Sequence, residues 1–114
     1  MRFVNLTPHP IKVQDVHGFV HEFAPSGQVA RVGQVTHEMP ELAGFRVRTN
    51  QSGTVSGLPD PQDGVIYLVS GLVLAAARGR DDVLAPDTGP DCLRDENGHI
   101  TAVRGFLRRG QRAA

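Results

Sequence analysis

Thirteen glycines and eight prolines are spread along a chain of 114 residues rather than gathered in one tract. Proline fixes φ and carries no amide donor, and glycine weakens helices and strands alike, so each such position tends to end a regular element. A chain punctuated this often folds as short strands joined by turns. Apolar clusters between the turn signals separate it from a disordered Gly/Pro-rich segment, which lacks them. The expectation is a mainly β fold, α+β at most: one globular, mostly antiparallel domain over residues 1–108, with 109–114 as a short flexible tail.

Phe3–Leu6 is a short apolar stretch closed by Thr7-Pro8-His9-Pro10, where the two prolines exclude a helix. Ile11–Val16 and Phe19–Phe23 alternate about His17-Gly18 and read as a β-hairpin. A longer strand runs through Val29–Val35. Pro40 and Gly44 make Glu38–Gly44 a loop, Phe45–Thr49 a half-buried strand follows, and Asn50–Gly53 reads as a turn before a short strand, Thr54–Leu58. Past the Pro59–Gly64 loop, Val65–Val69 is the continuous apolar run of a strand buried on both faces. One short helix is predicted near 71–78, with Ser70 as N-cap and Gly79 as the stop. Val83-Leu84 can pair with another strand, and Cys92–Arg94 with His99–Leu107 reads as a closing hairpin about Asn97-Gly98.

Twelve Lys+Arg balance twelve Asp+Glu, and the pI is near 7.0, which argues against a general nucleic-acid or membrane-surface binder. The neutrality is uneven: 81–98 is acidic, whereas the end carries Arg104, Arg108, Arg109 and Arg112 without an acid. Without interleaved aromatics beyond Phe106, that basic end reads as a solvated counterweight to the acidic run. The lone Cys92 makes no intramolecular disulfide, and Val65–Ala77, the longest low-charge stretch, falls short of the roughly twenty residues a membrane span needs. No signal-peptide pattern opens the chain, so a cytoplasmic protein is expected. All basic residues but Lys12 are arginines, which points to a GC-rich coding genome.

His9, His17, His21, His37 and His99 show no metal-ligand spacing, so neither a metal nor a cofactor is expected. Ser70, His9 and Asp81 or Asp82 supply the residue types of a catalytic triad, but there is no GxSxG elbow and Ser70 already has a task as N-cap. Cys92 sits beside Asp91, which disfavours a thiolate. An anion site is the stronger idea. Ser70-Gly71 opens a helix, and Arg78-Gly79-Arg80 presents two guanidiniums suited to phosphate or carboxylate, unless Asp81 and Asp82 pair with them internally.

The string Asn5-Leu6-Thr7-Pro8-His9 resembles the opening of a family of small proteins from phages, prophages and actinobacterial genomes. Gly57-Leu58-Pro59, Tyr67-Leu68-Val69-Ser70, Arg80-Asp81-Asp82 with Pro86, and Arg104-Gly105-Phe106 are similar to the same family, so the resemblance spans nearly the whole chain. It implies a setting rather than a mechanism: such proteins are often virion parts, inhibitors of host enzymes, or proteins that sequester nucleotide signals in the host cytoplasm.

The first reading is a non-catalytic binding protein that sequesters a small nucleotide-like anion, with Asn5, Thr7 and His9 on base or ribose, Ser70, Arg78 and Arg80 on phosphate, and Asp81 and Asp82 on ribose hydroxyls or an amine. The second is a small hydrolase acting on a nucleotide or ester, with His9 or Asp81 as general base. The third is a virion or assembly protein, or a host-enzyme inhibitor, whose exposed strand edges make homo-oligomers.

Overall fold

The computed structural model describes residues 1–109. In chain order they form β1 (Arg2–Asn5), β2 (Ile11–Gln14), β3 (Val20–Phe23), β4 (Arg31–Leu42), β5 (Phe45–Ser56), β6 (Val65–Leu68), α1 (Gly71–Ala76), β7 (Val83–Pro86), β8 (Leu93–Arg94), β9 (Ile100–Ala102) and β10 (Phe106–Arg108). The fold is mainly β with one short helix. Most strand pairs are antiparallel, but the middle of the molecule is not. The central sheet runs β1-β6-β7-β10, with β1, β6 and β7 parallel and β10 antiparallel to β7. A parallel pair needs a crossover, and α1 with its flanking loops is the crossover between β6 and β7.

Side-chain alternation along the central strands builds two cores. Tyr67, Val69, Val83 and Ala85 face α1 and pack with Val73, Leu74, Ala77, Leu6 and Ala30. Leu68 faces the other way and packs with Ile11, Val13, Cys92 and Val103, with Phe23, Ile66, Leu84 and Phe106 at the margin. Both faces of 65–69 are thus covered, as an uninterrupted apolar run requires.

Ser70 caps α1, its Oγ accepting from Val73 N at 3.3 Å. The helix is shorter than the predicted 71–78: it ends at Ala76, because Ala77 leaves helical geometry at ψ 69° before Gly79 is reached. The β2–β3 and β8–β9 hairpins share one turn. Asp15 Oδ1 accepts from His17 N and Phe19 N, and Asp95 Oδ1 accepts from Asn97 N and His99 N, all at 2.9–3.0 Å. A glycine at positive φ follows in each, Gly18 at 93° and Gly98 at 80°. The second arm of the final hairpin is shorter than expected. It stops at Ala102, and Phe106–Arg108 leaves it to pair with β7.

The main departure from expectation lies in 31–56. Glu38–Gly44 is not a loop and Asn50–Gly53 is not a turn. β4 and β5 pair as two twelve-residue strands closed by the two-residue turn Ala43-Gly44, with φ 51° and 84°. Pro40 is tolerated because β4 has a partner on one side only among the described residues and because the proline sits in a bulge, where the register shifts between Met39 and Leu42. Asn50 and Gln51 are held extended by pairing with Thr36 and Val35, which local turn propensity does not anticipate. Val32 and Val55 fasten the base of this ribbon to the core, and beyond them nearly every residue is exposed. The radius of gyration is 17.0 Å, against about 13 Å for a globule of this length, because the ribbon stands out from the body as an arm. Of the tail expected over 109–114, all but Arg109 lies outside the described residues.

Candidate functional site

Asn5, at the end of β1, is 2% exposed. Its Nδ2 donates to the carbonyls of His9 at 2.8 Å and Phe23 at 2.9 Å, while Oδ1 accepts from Thr7 N at 2.9 Å and Thr7 Oγ1 at 2.7 Å. An amide side chain has two donor hydrogens and two acceptor sites, so Asn5 is fully engaged. It ties β1, the Thr7–Pro10 bend and the end of β3 into one joint. The Asn-Leu-Thr-Pro-His string therefore has a structural explanation. His9 contributes its carbonyl to the joint, and its side chain is exposed.

Thr7 and Ser70 do come together. With Pro8, Arg31 and Leu72 they border a shallow hollow of about 260 Å³ at the base of the arm. Arg78 and Arg80 are not among its lining residues; the cation there is Arg31, which sequence reasoning did not single out. No hydrogen bond joins Ser70 to His9, Asp81 or Asp82 among the described residues, and Cys92 is buried with its thiol donating to the Asp87 carbonyl at 3.3 Å.

Arg80 and Asp82 pair with each other. Nε donates to Oδ1 at 2.8 Å and Nη2 to Oδ2 at 2.9 Å, while Nη2 also donates to the Pro59 carbonyl at 2.8 Å. The pair is partly buried, with side chains 19% and 17% exposed. Hydrogen bonding to Arg80 holds the Asp82 carboxyl below its ordinary range, and the same bond raises the Arg80 pKa. The clasp fastens the Pro59 loop to the turn before β7. Arg78 and Asp81 remain exposed.

The arm sorts its side chains by chemistry. Val35, His37 and Met39 on β4 stand opposite Gln51, Thr49 and Val47 on β5, and directly opposed residues share a face. The bulge restores Leu42 to that face opposite Phe45. Apart from His37, this face carries no ionisable side chain. Glu38 and Arg48 are opposed on the other face, where Arg46 also bonds Glu38 and Thr36 bonds Asn50. Val35, Met39, Leu42 and Phe45 are 49, 46, 71 and 73% exposed. These residues were missed as a group because 38–44 and 50–53 read as breaks. The available signal was the period-two alternation of Val35, His37 and Met39, and of Phe45, Val47 and Thr49.

Comparison of the chain with known protein families, curated proteins and solved structures finds no match. Among the described residues no group of three or more His, Cys, Asp or Glu is placed to hold a metal ion, and no helix is long and apolar enough to cross a membrane.

Proposed function

We propose that this protein is a non-catalytic assembly protein whose β4–β5 arm docks face to face with the arm of a second copy. One observation carries the reading: a ribbon of two twelve-residue strands turns Val35, Met39, Leu42 and Phe45 to water on a face without Asp, Glu, Lys or Arg, and keeps its charged pairs on the opposite face. A two-stranded ribbon is marginal by itself in water and gains stability when its apolar face is covered. A copy of the same face covers it without bringing like charges together, and zero net charge sets no long-range repulsion against self-association. Complete burial of a Val, Leu, Met or Phe contributes about 1.5–3 kcal/mol, so the half-exposed residues of two arms together offer on the order of 10 kcal/mol. Association costs about 4–15 kcal/mol, so one pair of arms lies near the threshold of a stable dimer. Concentration-dependent assembly is the consequence. The resemblance to small phage proteins gives it a setting, in virion assembly within a bacterial host.

Sedimentation velocity over a concentration series tests this. The native chain should sediment faster as concentration rises, and Met39→Asp with Phe45→Asp should stay monomeric, melting with the native chain at concentrations where both are monomers. A native protein that remains monomeric throughout, or a variant that associates as well as the native chain, overturns the reading.

A second reading, sequestration of a small nucleotide-like anion, draws support from the hollow shared by Thr7, Ser70 and Arg31. Native mass spectrometry of protein purified from bacterial lysate tests it: a retained small molecule supports sequestration, and an empty protein with no thermal shift across a nucleotide panel removes it.

A further inference from the structure

On the side of the central sheet away from α1, the β2–β3 hairpin and β10 enclose a cleft of about 350 Å³, within the usual range of small-molecule sites of about 300–1,000 Å³. Three phenylalanines far apart in sequence form its floor. Phe3 and Phe23 are tilted with centroids 5.2 Å apart, and Phe3 and Phe106 are stacked at 6.1 Å. Phe3 keeps 36% of its surface exposed, so the floor is apolar and open. A planar ring laid on it would extend an aromatic cluster already in place, and aromatic pairs contribute beyond the area they bury.

The rim is polar and its charges are unequally committed. Asp15 Oδ2 lies 2.7 Å from His21 Nε2, and Oδ1 accepts the two turn amides. The His21 bond is the main reason that the Asp15 carboxyl sits below its ordinary range. A carboxylate only accepts, so Nε2 carries the hydrogen in this pair. Arg104 stands across the cleft in a different state. Its Nε donates to the Asp91 carbonyl at 2.7 Å and Nη1 reaches the neutral Gln14 Oε1 at 3.4 Å. Arg46 and Arg80 both have carboxylate partners, whereas no carboxylate lies within salt-bridge distance of Arg104 among the described residues. Neutral carbonyl partners orient its guanidinium and leave its charge uncompensated beside an apolar floor.

We propose that this cleft binds a small aromatic carboxylate, with the ring on Phe3, Phe23 and Phe106 and the carboxylate on the free edge of the Arg104 guanidinium. Arginine is suited to this because its planar fork meets a carboxylate at two points. The two oxygens of Asp15 are held by His21 and the turn amides, which leaves Arg104 as the rim group that attracts the ligand carboxylate.

Backbone amide NMR with phenylpropionate and its neutral amide, phenylpropionamide, as probes tests the proposal on the full chain. Shifts should be confined to Phe3, Val13–Val16, His21–Phe23 and Arg104–Phe106, with the carboxylate bound about fivefold more tightly than the amide, the scale of a partly exposed ion pair. Arg104→Gln should abolish that preference while leaving amide binding unchanged, and Arg104→Lys, which keeps the charge but loses the two-point fork, should retain only part of it. No shifts with either probe, shifts centred on the arm around Met39 and Phe45, or a preference that survives Arg104→Gln would each overturn it.

Discussion

Arg80 and Asp82, two positions apart in the chain, form a two-point ion pair whose arginine also donates to the Pro59 carbonyl, 21 positions earlier. The arrangement makes the Arg-Asp-Asp segment a structural latch. Arg80→Ala leaves a partly buried carboxylate and the Pro59 carbonyl without their donor, and should lower unfolding free energy by about 1–3 kcal/mol, read from urea denaturation. Arg78→Ala, on an exposed side chain, should change it by less than about 0.5 kcal/mol.

The same pair sets a pH dependence. The folded-state pKa of Asp82 is depressed below its unfolded value, so its contribution to stability is complete above the ordinary carboxylate range and is lost as pH falls through the folded pKa. Melting temperature followed downward from pH 6 should decline through the carboxylate range, about pH 4 and below. Asp82→Asn should flatten part of that decline. An identical acid profile for native chain and variant would remove Asp82 from the account.

Asn5→Asp preserves shape but replaces two donors with an acceptor facing the carbonyls of His9 and Phe23. The expected loss is about 2–4 kcal/mol at neutral pH, with partial recovery in acid, where a protonated carboxyl regains one donor. Here the folded pKa is raised, so the penalty is full above it and fades below it. Urea unfolding at pH 7 and pH 4 should show the variant closing part of the gap to the native chain.

Gly57 and Gly64 provide a matched pair, with φ of 76° and 74°. A Cβ at Gly57 would lie 2.5 Å from the Val29 carbonyl oxygen, whereas one at Gly64 meets nothing within 4 Å. Gly64→Ala should cost about 1–2 kcal/mol, the left-handed backbone penalty alone. Gly57→Ala should cost at least about 1 kcal/mol more, since backbone must move as well. Thermal unfolding of the two variants measures the difference, and equal losses would show that the Val29 segment yields freely.

Ala43 adopts φ 51° in the arm's two-residue turn, a region where alanine is strained and asparagine is tolerated. Ala43→Asn should stabilise the turn by about 0.5–1 kcal/mol, visible as slower amide hydrogen exchange along β4 and β5 with little change in the body.

Where an element depends on its own residues, its form was legible in the chain. Ser70 announced the start of α1, Val65–Val69 announced a strand covered on both sides, and His17-Gly18 and Asn97-Gly98 announced two of the hairpins. The candidate site was legible only in part. Thr7 and Ser70 do border one hollow, but the cation beside them is Arg31, and Arg80 is turned inward to Asp82 and Pro59.

By itself, then, the sequence determined a mainly β fold, the turns at His17-Gly18 and Asn97-Gly98 and a short helix, because those follow from φ preference, capping and side-chain alternation over a few neighbouring residues. Tertiary structure alone decided the rest. Pairing with β4 drew Asn50–Gly53 out of a turn, a bulge near the tip of the ribbon let Pro40 stay in a strand, and the Phe23 carbonyl gave Asn5 its distant partner. Sheet order brought Phe3, Phe23 and Phe106 into one cluster. Each of these joins groups far apart along the chain, and local propensity carries no information about which distant strand will supply a hydrogen bond or cover a face.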